Sequence, residues 1–317
     1  MLVVHFVGAP TGANRKYRLE MAYCLAARLH FMRLFAAING CGSCAAEFFI
    51  ARFVQLIFLI RQYVLYRKGN NHAVPKSEQL LARYCFVQIM GPNPLKLCEE
   101  MILAANEIVG SGTASSSSVV LDLGSGTGIT TALLAREFGC VAYAADLWSN
   151  PTENMRFFET LGLTNRQIVP IKADASGGLP FAEEFFDAVV SIDSYNYFGR
   201  SAEYLDAKLL PYVKRGGIVA LCFPGMKQDC HENQPACLLE SWTPDQLDYI
   251  HDIPWWKAIF EQSENADILG IREMQCTEEA WADWLLCDNE YARCDASAVK
   301  ACALEYLNTI MVVLRKK

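Results

Sequence analysis

Between residues 119 and 314, short runs of apolar side chains alternate with segments whose apolar positions recur at helical spacing. The apolar runs are rich in β-branched residues and are bounded by polar or glycine-containing segments, which is typical of buried strands. Strands separated by helices predict parallel βαβ units with helices on both faces of one sheet. The predicted strands are residues 119–123, 140–145, 168–173, 187–192, 217–223, 268–274 and 307–314.

The first predicted strand runs directly into a glycine-rich turn and then into a predicted helix over residues 129–138. Glycine has no Cβ, so the backbone of such a turn can approach a ligand closely. Amides at the start of the helix can bind carboxylate or hydroxyl oxygens. The turn has the pattern D-x-G-x-G-x-G, formed by Asp122, Gly124, Ser125, Gly126, Thr127 and Gly128.

The spacing of this turn separates two classes of ligand. Dinucleotide sites use G-x-G-x-x-G, in which the third glycine permits close packing beside a pyrophosphate. Here Asp122 stands on the strand, two residues before the first glycine. A carboxylate at that position repels a pyrophosphate and attracts an ammonium group, so the pattern argues against a dinucleotide site.

Three further carboxylates follow predicted strands, at Asp146, Asp174 and Asp193. In parallel α/β sheets, ligands bind at the carboxyl ends of the strands. The sequence therefore predicts that these three side chains converge with Asp122 on one edge of the sheet. An isolated Asp at such a position is often only a helix N-cap or a solvated strand end, which is the alternative interpretation for each.

Residues 118–223 resemble the class I S-adenosylmethionine-dependent methyltransferases, whose first motif the D-x-G-x-G-x-G turn matches position by position. The resemblance implies a Rossmann-like α/β fold: a seven-stranded sheet, mostly parallel with an antiparallel edge, and helices on both faces. It also implies S-adenosylmethionine as cofactor and methyl donor. From Met90 to the C-terminus, the chain is similar to small-molecule enzymes of the cyclopropane-synthase-like and phosphoethanolamine-methyltransferase-like kind.

The same resemblance assigns roles within the cofactor site. The turn at 122–128 holds the methionine portion of the donor, and Asp146 accepts hydrogen bonds from the ribose hydroxyls. Leu147 covers the adenine. Asp174, with Ala175 beside it, receives the adenine amino group.

The segment after the fourth strand is the candidate catalytic region, because donor and acceptor meet there in this fold. Asp193 can hold the donor ammonium or take a proton from the nucleophile. Tyr195 and Tyr197 can enclose the methyl group, and His231 is a candidate general base. The alternatives are an aromatic turn packed on neighbouring helices and a structural histidine. No N-P-P-Y pattern occurs in the sequence, which favours a small-molecule acceptor.

Charge and cysteine content narrow the class of protein further. The 317-residue chain has a net charge of −7, although residues 1–70 carry nine basic and two acidic residues. The remaining body is therefore strongly acidic, which argues against broad contact with nucleic acid. Thirteen cysteines lack the regular spacing of a disulfide framework, which favours reduced thiols and a cytoplasmic enzyme. The C-x-x-C at Cys41–Cys44 has no second pair, so no metal site is expected.

Residues 1–74 differ in composition from the remainder and are predicted to be a basic, apolar and possibly helical extension. The longest uncharged run in the apolar part, 53–60, is far shorter than the ~20 residues that span a bilayer. An amphipathic helix at 45–68 could instead lie on a membrane, which leaves a lipid-directed methyltransferase as one alternative. A second alternative is that this extension is not part of the native domain.

Residues 75–317 are predicted to form the catalytic domain, with insertions at about 225–267 and 276–305 that cap the substrate. A small-molecule acceptor is the expected partner. A non-catalytic subunit that only binds S-adenosylmethionine is the remaining functional alternative. The oligomeric state is left open by the sequence.

Overall fold

The computed structural model describes residues 89–110 and 113–317. The predicted extension at 1–74, the amphipathic segment at 45–68 and the Cys41–Cys44 motif lie outside the described residues. None of the helices within the described ranges is long and apolar enough to cross a membrane.

A single mostly parallel sheet forms the centre of the fold, with strand order β3-β2-β1-β4-β5-β8-β7. The strands β1 to β5 are mutually parallel, whereas β8 runs antiparallel to both β5 and β7. The predicted α/β fold with an antiparallel edge is confirmed. The strands are β1 Val119–Leu123, β2 Val141–Asp146, β3 Ile168–Lys172, β4 Phe186–Ile192, β5 Val213–Met226, β6 His251–Asp252, β7 Ala266–Glu273 and β8 Leu307–Lys316.

The seven predicted strands are all present, and β6 is an eighth that the sequence analysis missed. It is a two-residue strand that pairs with the end of β5, off the main path of the sheet. Two residues are too few to show the alternation by which strands are recognised in a sequence. The long β5 also begins four residues before its predicted start and ends three after its predicted end.

Helices cover both faces of the sheet. The predicted helix at 129–138 is present as α2, Ile129–Leu133, which continues directly into a π-helical turn over Leu134–Phe138. A short turn of helix likewise continues from α5 through Leu205–Leu209. The helices are α1 Pro94–Val109, α2 Ile129–Leu133, α3 Pro151–Thr160, α4 Tyr195–Phe198, α5 Ala202–Tyr204, α6 Pro244–Leu247, α7 Ile253–Phe260, α8 Thr277–Leu285, α9 Glu290–Ala301 and α10 Ala303–Tyr306.

The central strands are buried on both faces, which explains why they read as continuous apolar runs. In β5, Ile218, Ala220 and Cys222 face the helices α1, α2 and α8. The alternate residues Val219 and Leu221, followed by Phe223, face a second core that includes Trp256 and Phe260 from α7. The carboxyl ends of the strands therefore lie between the two cores that cover the faces of the sheet.

Two cysteines from the predicted insertions lie side by side. The Cα atoms of Cys237, in the segment after β5, and Cys302, at the end of α9, are 6.2 Å apart. Sixty-five positions separate the two residues, so sequence spacing gave no sign of their proximity. Fold topology alone brings the two insertions together at this point.

Candidate functional site

The glycine turn between β1 and α2 leaves one of its three glycines facing open space. All three have positive φ, at +78° for Gly124, +56° for Gly126 and +86° for Gly128. A Cβ on Gly124 would overlap the Ser194 hydroxyl, and one on Gly128 would overlap the Phe158 ring. A Cβ on Gly126 would meet nothing within 4 Å. The outer glycines therefore serve packing, and Gly126 borders the space that a ligand can enter.

The peptide groups of Gly126 are fixed by two side chains from neighbouring elements. Its amide donates to Asp146 Oδ2 at 3.0 Å, and its carbonyl accepts from Asn154 Nδ2 at 3.0 Å. Asn154 belongs to α3 and is 6% exposed. Its neighbours in the sequence do not mark it, and only its burial in the fold shows that it requires hydrogen-bond partners.

Asp146 accepts hydrogen bonds from both the glycine turn and the loop that follows β2. Its Oδ1 accepts from the amides of Trp148 and Ser149 at 2.8 and 2.7 Å. A carboxylate has about four lone-pair positions, so three amide donors leave room for one more hydrogen bond. Leu147 and Trp148 follow, and both are exposed. The tip of β2 thus presents a carboxylate beside an exposed apolar pair.

Asp122 lies beneath the turn and is almost fully buried. Its Oδ2 accepts from the hydroxyls of Thr130 and Thr131 at 2.7 and 2.6 Å, which secures the start of α2. Its Oδ1 has no partner among the described residues, and neither does the buried hydroxyl of Ser125. Burial raises the pKa of Asp122 to about 6, although the two hydroxyls oppose the shift.

Asp174, two residues beyond the end of β3, is exposed and makes a local turn. Its Oδ1 accepts from the amide and hydroxyl of Ser176 at 2.9 and 2.6 Å, and these bonds lower its pKa. The next residue, Ala175, accepts a hydrogen bond from the Tyr204 hydroxyl at 2.7 Å through its carbonyl. The exposed position of Asp174 matches the alternative of a solvated strand end, and its two side-chain hydrogen bonds both use Oδ1 and leave Oδ2 available. Thr127, in the glycine turn, is likewise exposed.

Asp193 occupies a strained position directly after β4. Its φ is +55°, which is uncommon outside glycine and is often found at functional sites. The side chain is half-buried, and its Oδ2 lies against Gly91, where a Cβ would overlap it. Burial and the charge of Asp295 together raise the pKa of Asp193 to about 7.

The two candidate tyrosines are placed differently. Tyr195 is fully buried among Phe223, Trp256 and Phe260, so it belongs to the core rather than to an open site. Much of Tyr197 is exposed. Desolvation and the charges of Asp193 and Asp295 nevertheless raise the pKa of its hydroxyl to about 12. Tyr197 and Asp193 thus share one acidic environment.

The candidate base His231 has both ring nitrogens engaged elsewhere. Its Nδ1 lies 2.7 Å from Asp229 Oδ1, and its Nε2 lies 3.2 Å from the Leu247 carbonyl oxygen. Its ring is 4.9 Å from that of His251, which stacks on Trp255. These contacts place His231 in a structural cluster at the end of β5 and β6.

Asp295 on α9 is an acidic residue that no sequence motif predicts. Its Oδ1 accepts from Trp242 Nε1 at 3.0 Å, and its Oδ2 accepts from Trp284 Nε1 at 2.8 Å. Burial raises its pKa, opposed by these two indole donors. No glycine motif or strand end marks Asp295, so only the fold shows that its charge acts on Asp193.

The segment before α1 contacts both α8 and Asp193. The buried Asn93 caps α1, donates its amide to the Ala280 carbonyl at 2.9 Å and donates Nδ2 to Asp283 at 2.7 Å. Gly91, two residues earlier, is the residue that packs on Asp193. Within residues 89–110 and 113–317, no cluster of His, Cys, Asp and Glu is suited to hold a metal ion.

Comparisons with known proteins identify a family model and solved structures that are similar to this chain. Residues 121–221 match a protein-family model described as "Methyltransferase domain". The match begins within β1 and ends within β5, so it covers the glycine turn and the ends of the first four strands. No curated protein sequence matches the chain.

Several solved structures have the same fold, and of three examples two are methyltransferases. Geranyl diphosphate C-methyltransferase from Streptomyces coelicolor A3(2) has a TM-score of 0.54 and 13% identity over 79% of this chain and 96% of its own. Phosphoethanolamine N-methyltransferase 2 from Haemonchus contortus, bound to S-adenosyl-L-methionine, has a TM-score of 0.54 and 18% identity over 76% and 56%. YjhP from E. coli has a TM-score of 0.52 and 17% identity over 77% and 100%. At these identities the likeness shows a shared fold.

Proposed function

Because residues 121–221 match a methyltransferase-domain model, we propose that this chain transfers a methyl group from S-adenosylmethionine to a small-molecule nucleophile. The observation that carries the proposal is the turn around Gly126. Its backbone is held by Asp146 and Asn154 while its Cα faces open space. Such a turn admits a ligand without rearrangement.

The residues around the turn fit the parts of S-adenosylmethionine. Asp122 Oδ1 and the Ser125 hydroxyl are buried polar atoms that lack partners among the described residues, and they suit an ammonium and a carboxylate respectively. Asp146 retains a position for a ribose hydroxyl. Leu147 and Trp148 are exposed apolar side chains that an adenine ring would cover.

S-adenosylmethionine supplies an electrophilic methyl group on a sulfonium sulfur. The chain's task is then to align an acceptor with that methyl group and to exclude water. Asp193 and Tyr197 stand at the end of β4, beside the turn, because β4 pairs directly with β1. We place acceptor binding there, with Asp193 as the group that takes a proton from the nucleophile.

The two predicted insertions are proposed to enclose the acceptor. Trp242 comes from the first, and Trp284 and Asp295 come from the second; the three side chains are hydrogen-bonded together. Cys237 and Cys302, whose Cα atoms are 6.2 Å apart, belong to the same two segments. The hydrogen bonds to Asp295 and the proximity of the two cysteines show that the insertions pack on each other.

Two assays test the proposal. Calorimetry with S-adenosylmethionine and S-adenosylhomocysteine measures donor binding, and we expect both to bind. Transfer of a radiolabelled methyl group to panels of small amines, alcohols and thiols measures catalysis. Binding without transfer to any panel would favour the non-catalytic subunit, and absence of binding would overturn the proposal.

A further inference from the structure

Two half-buried cysteines lie side by side where the two predicted insertions meet, and we propose that they are a site of reversible oxidation. Cys237 and Cys302 join in a disulfide by exchange with a small disulfide such as that of glutathione. The bond links the segment after β5 to the end of α9. The inference goes beyond the proposed function, because it depends on the packing of the insertions and not on donor binding.

The spacing of the two residues suits a disulfide. Their Cα atoms are 6.2 Å apart, and their Sγ atoms are in contact. Disulfides usually join Cα atoms that are about 4.4–6.8 Å apart. The bond can therefore form without a rearrangement of the backbone.

Apolar packing beside the pair keeps the two segments in this arrangement. Leu238, next to Cys237, and Ala303, next to Cys302, are fully buried and belong to one apolar cluster. The Cys302 amide also donates to the carbonyl of Ala298 at 3.0 Å, and Ala298 is a third member of that cluster. The proximity of the two cysteines is therefore fixed by the core that lies beside them.

Hydrogen bonds a few residues away connect the same two segments. The Ser241 hydroxyl donates to the Cys294 carbonyl at 2.7 Å and accepts from the Ala298 amide at 3.0 Å. The Trp242 indole donates to Asp295 at 3.0 Å. All three contacts join the first insertion to α9, so the segments are aligned before any disulfide forms. An aligned second thiol closes the disulfide readily, because no further encounter is needed.

Accessibility distinguishes this pair from most of the other described cysteines. Cys237 and Cys302 are half-buried, so a small disulfide can reach them. Four other cysteines are buried, and burial raises the pKa of each thiol and keeps it in the unreactive protonated form: Cys98, Cys140, Cys222 and Cys287. Cys294 is exposed, but it lies eight residues before Cys302. That separation is roughly 12 Å along a helix, which is too far for a disulfide.

The exchange balances with glutathione disulfide as the only oxidant. The thiolate of one cysteine attacks a sulfur of glutathione disulfide, whose sulfur–sulfur bond breaks and releases one glutathione thiolate. The second cysteine thiolate then attacks the protein sulfur of that mixed disulfide and releases the second glutathione. Each released thiolate takes up one of the two protons that the cysteines lose. The protein is oxidised by two electrons, and one glutathione disulfide is reduced to two molecules of glutathione.

The bond changes how the two insertions can move. Oxidation restrains them on each other, whereas after reduction they are held only by the hydrogen bonds and apolar contacts between them. These are the segments proposed to enclose the acceptor, so the redox state of the pair sets how freely that enclosure opens. This consequence rests on the proposed function, whereas the formation of the disulfide does not.

Peptide mapping tests the disulfide directly. The full chain is equilibrated with glutathione disulfide or with reduced glutathione, the remaining thiols are alkylated, and the digest is analysed by mass spectrometry. We expect a cross-linked peptide that joins Cys237 to Cys302 in the oxidised sample and none in the reduced sample. Dithiothreitol added to the oxidised sample should remove it. Alkylation of both cysteines in the oxidised sample, or a disulfide from either one to a third cysteine, would overturn the inference.

Serine variants assign the bond to its two residues. Cys302→Ser should abolish the cross-linked peptide and leave Cys237 alkylated or bound to glutathione. Cys294→Ser, which changes an exposed cysteine of the same helix, should leave the cross-link unchanged, and its loss there would count against the pairing. Equal unfolding midpoints of the reduced parent and the reduced variants show that the fold is preserved. If Cys302→Ser does not fold, Cys237→Ser takes its place with the same expected result.

Hydrogen exchange measures the effect on the insertions. We expect oxidation to slow the exchange of the amides around Leu238 and Ala298 by about tenfold or more, because a disulfide that closes a long loop restrains local opening. Cys302→Ser should show no such change. Equal exchange in the oxidised and reduced parent would contradict the restraint. S-adenosylhomocysteine binding is measured separately, so a parent that forms the disulfide but does not bind this ligand overturns the proposed function alone.

Discussion

The backbone amide of Gly126 donates a hydrogen bond to Oδ2 of Asp146 at 3.0 Å. This contact ties the glycine turn after β1 to the tip of the neighbouring strand β2, with which β1 pairs in parallel register. The carboxylate that the family resemblance assigns to the ribose therefore also holds the turn that is assigned to the methionine portion. A substitution at either residue should therefore also alter the position of the other.

Replacing Gly126 with Val should abolish donor binding. The residue has a positive φ and open space around its Cα, so a Val side chain would occupy the space proposed for the ligand. Gly162→Val is the matched control, because Gly162 also has a positive φ and open space, but lies at the end of α3. Both variants should lose a similar amount of stability, roughly 1–2 kcal/mol. Only Gly126→Val should fail in calorimetry with S-adenosylhomocysteine.

Asp146→Ala should weaken donor binding by roughly tenfold to a few hundredfold, since hydrogen bonds to a charged acceptor contribute about 1.5–3 kcal/mol each. The variant loses the ribose contact and also the anchor of the Gly126 amide. Asp174→Ala is the comparison, because Asp174 is exposed and bonds only its own turn. We expect its effect on affinity to be the smaller of the two. Parental affinity in a folded Asp146→Ala protein would show that β2 has been given the wrong role.

Asn154→Ala tests a residue that the structure adds to the site. It removes the donor to the partly buried Gly126 carbonyl, and the loss of one such hydrogen bond costs about 0.5–1.5 kcal/mol. We expect a lower midpoint of chemical unfolding together with weaker donor binding. Asn150→Ala, which removes only the N-cap of α3, should lower stability without changing donor affinity. Equal effects of both variants on affinity would argue that Asn154 acts only through the stability of α3.

Asp122 should make the stability of the protein depend on pH. Its folded pKa, about 6, lies above its ordinary value of 3.8, so its favourable contribution is complete below the ordinary value and is lost as pH rises through about 6. The free energy of unfolding of Asp122→Asn, relative to the parent, should therefore rise between pH 4 and pH 7, by up to roughly 3 kcal/mol at 1.36 kcal/mol per pKa unit.

A second acid of the sheet serves as the control for that measurement. Asp187 pairs with Lys214 at 2.7 Å and accepts from the Val119 amide. Asp187→Asn should be destabilising at neutral pH, which is the opposite sign. A relative stability of Asp122→Asn that does not change with pH would contradict the role of burial at this residue.

The sheet could be predicted from the sequence because its strands are buried on both faces and separated by helices. The turn at Asp122 to Gly128 could also be found, since its residues are consecutive and their spacing is specific. The sequence does not show, however, which of the three glycines is required for packing and which borders the ligand. Whether a glycine serves packing or a ligand depends on Ser194 and Phe158, which are distant in sequence.

The acceptor side was harder to predict for the same reason. Asp295 and Asn154 lie on ordinary amphipathic helices, and nothing in their neighbours marks them. His231 and Tyr195 have side chains that can act in catalysis. In the structure, however, both ring nitrogens of His231 contact other groups, and the ring of Tyr195 is buried in the core. The proximity of Cys237 and Cys302 likewise depends on two insertions meeting, which no local pattern encodes.

The central claim is that the turn around Gly126 is a donor site, and one calorimetric comparison tests it most directly. The parent and Gly126→Val are titrated with S-adenosylhomocysteine under identical conditions. We predict binding by the parent with a dissociation constant between about 1 μM and 1 mM, the range usual for enzyme substrates, and no binding by Gly126→Val. Absence of binding by the parent at millimolar ligand, or equal binding by a folded Gly126→Val, would contradict the account.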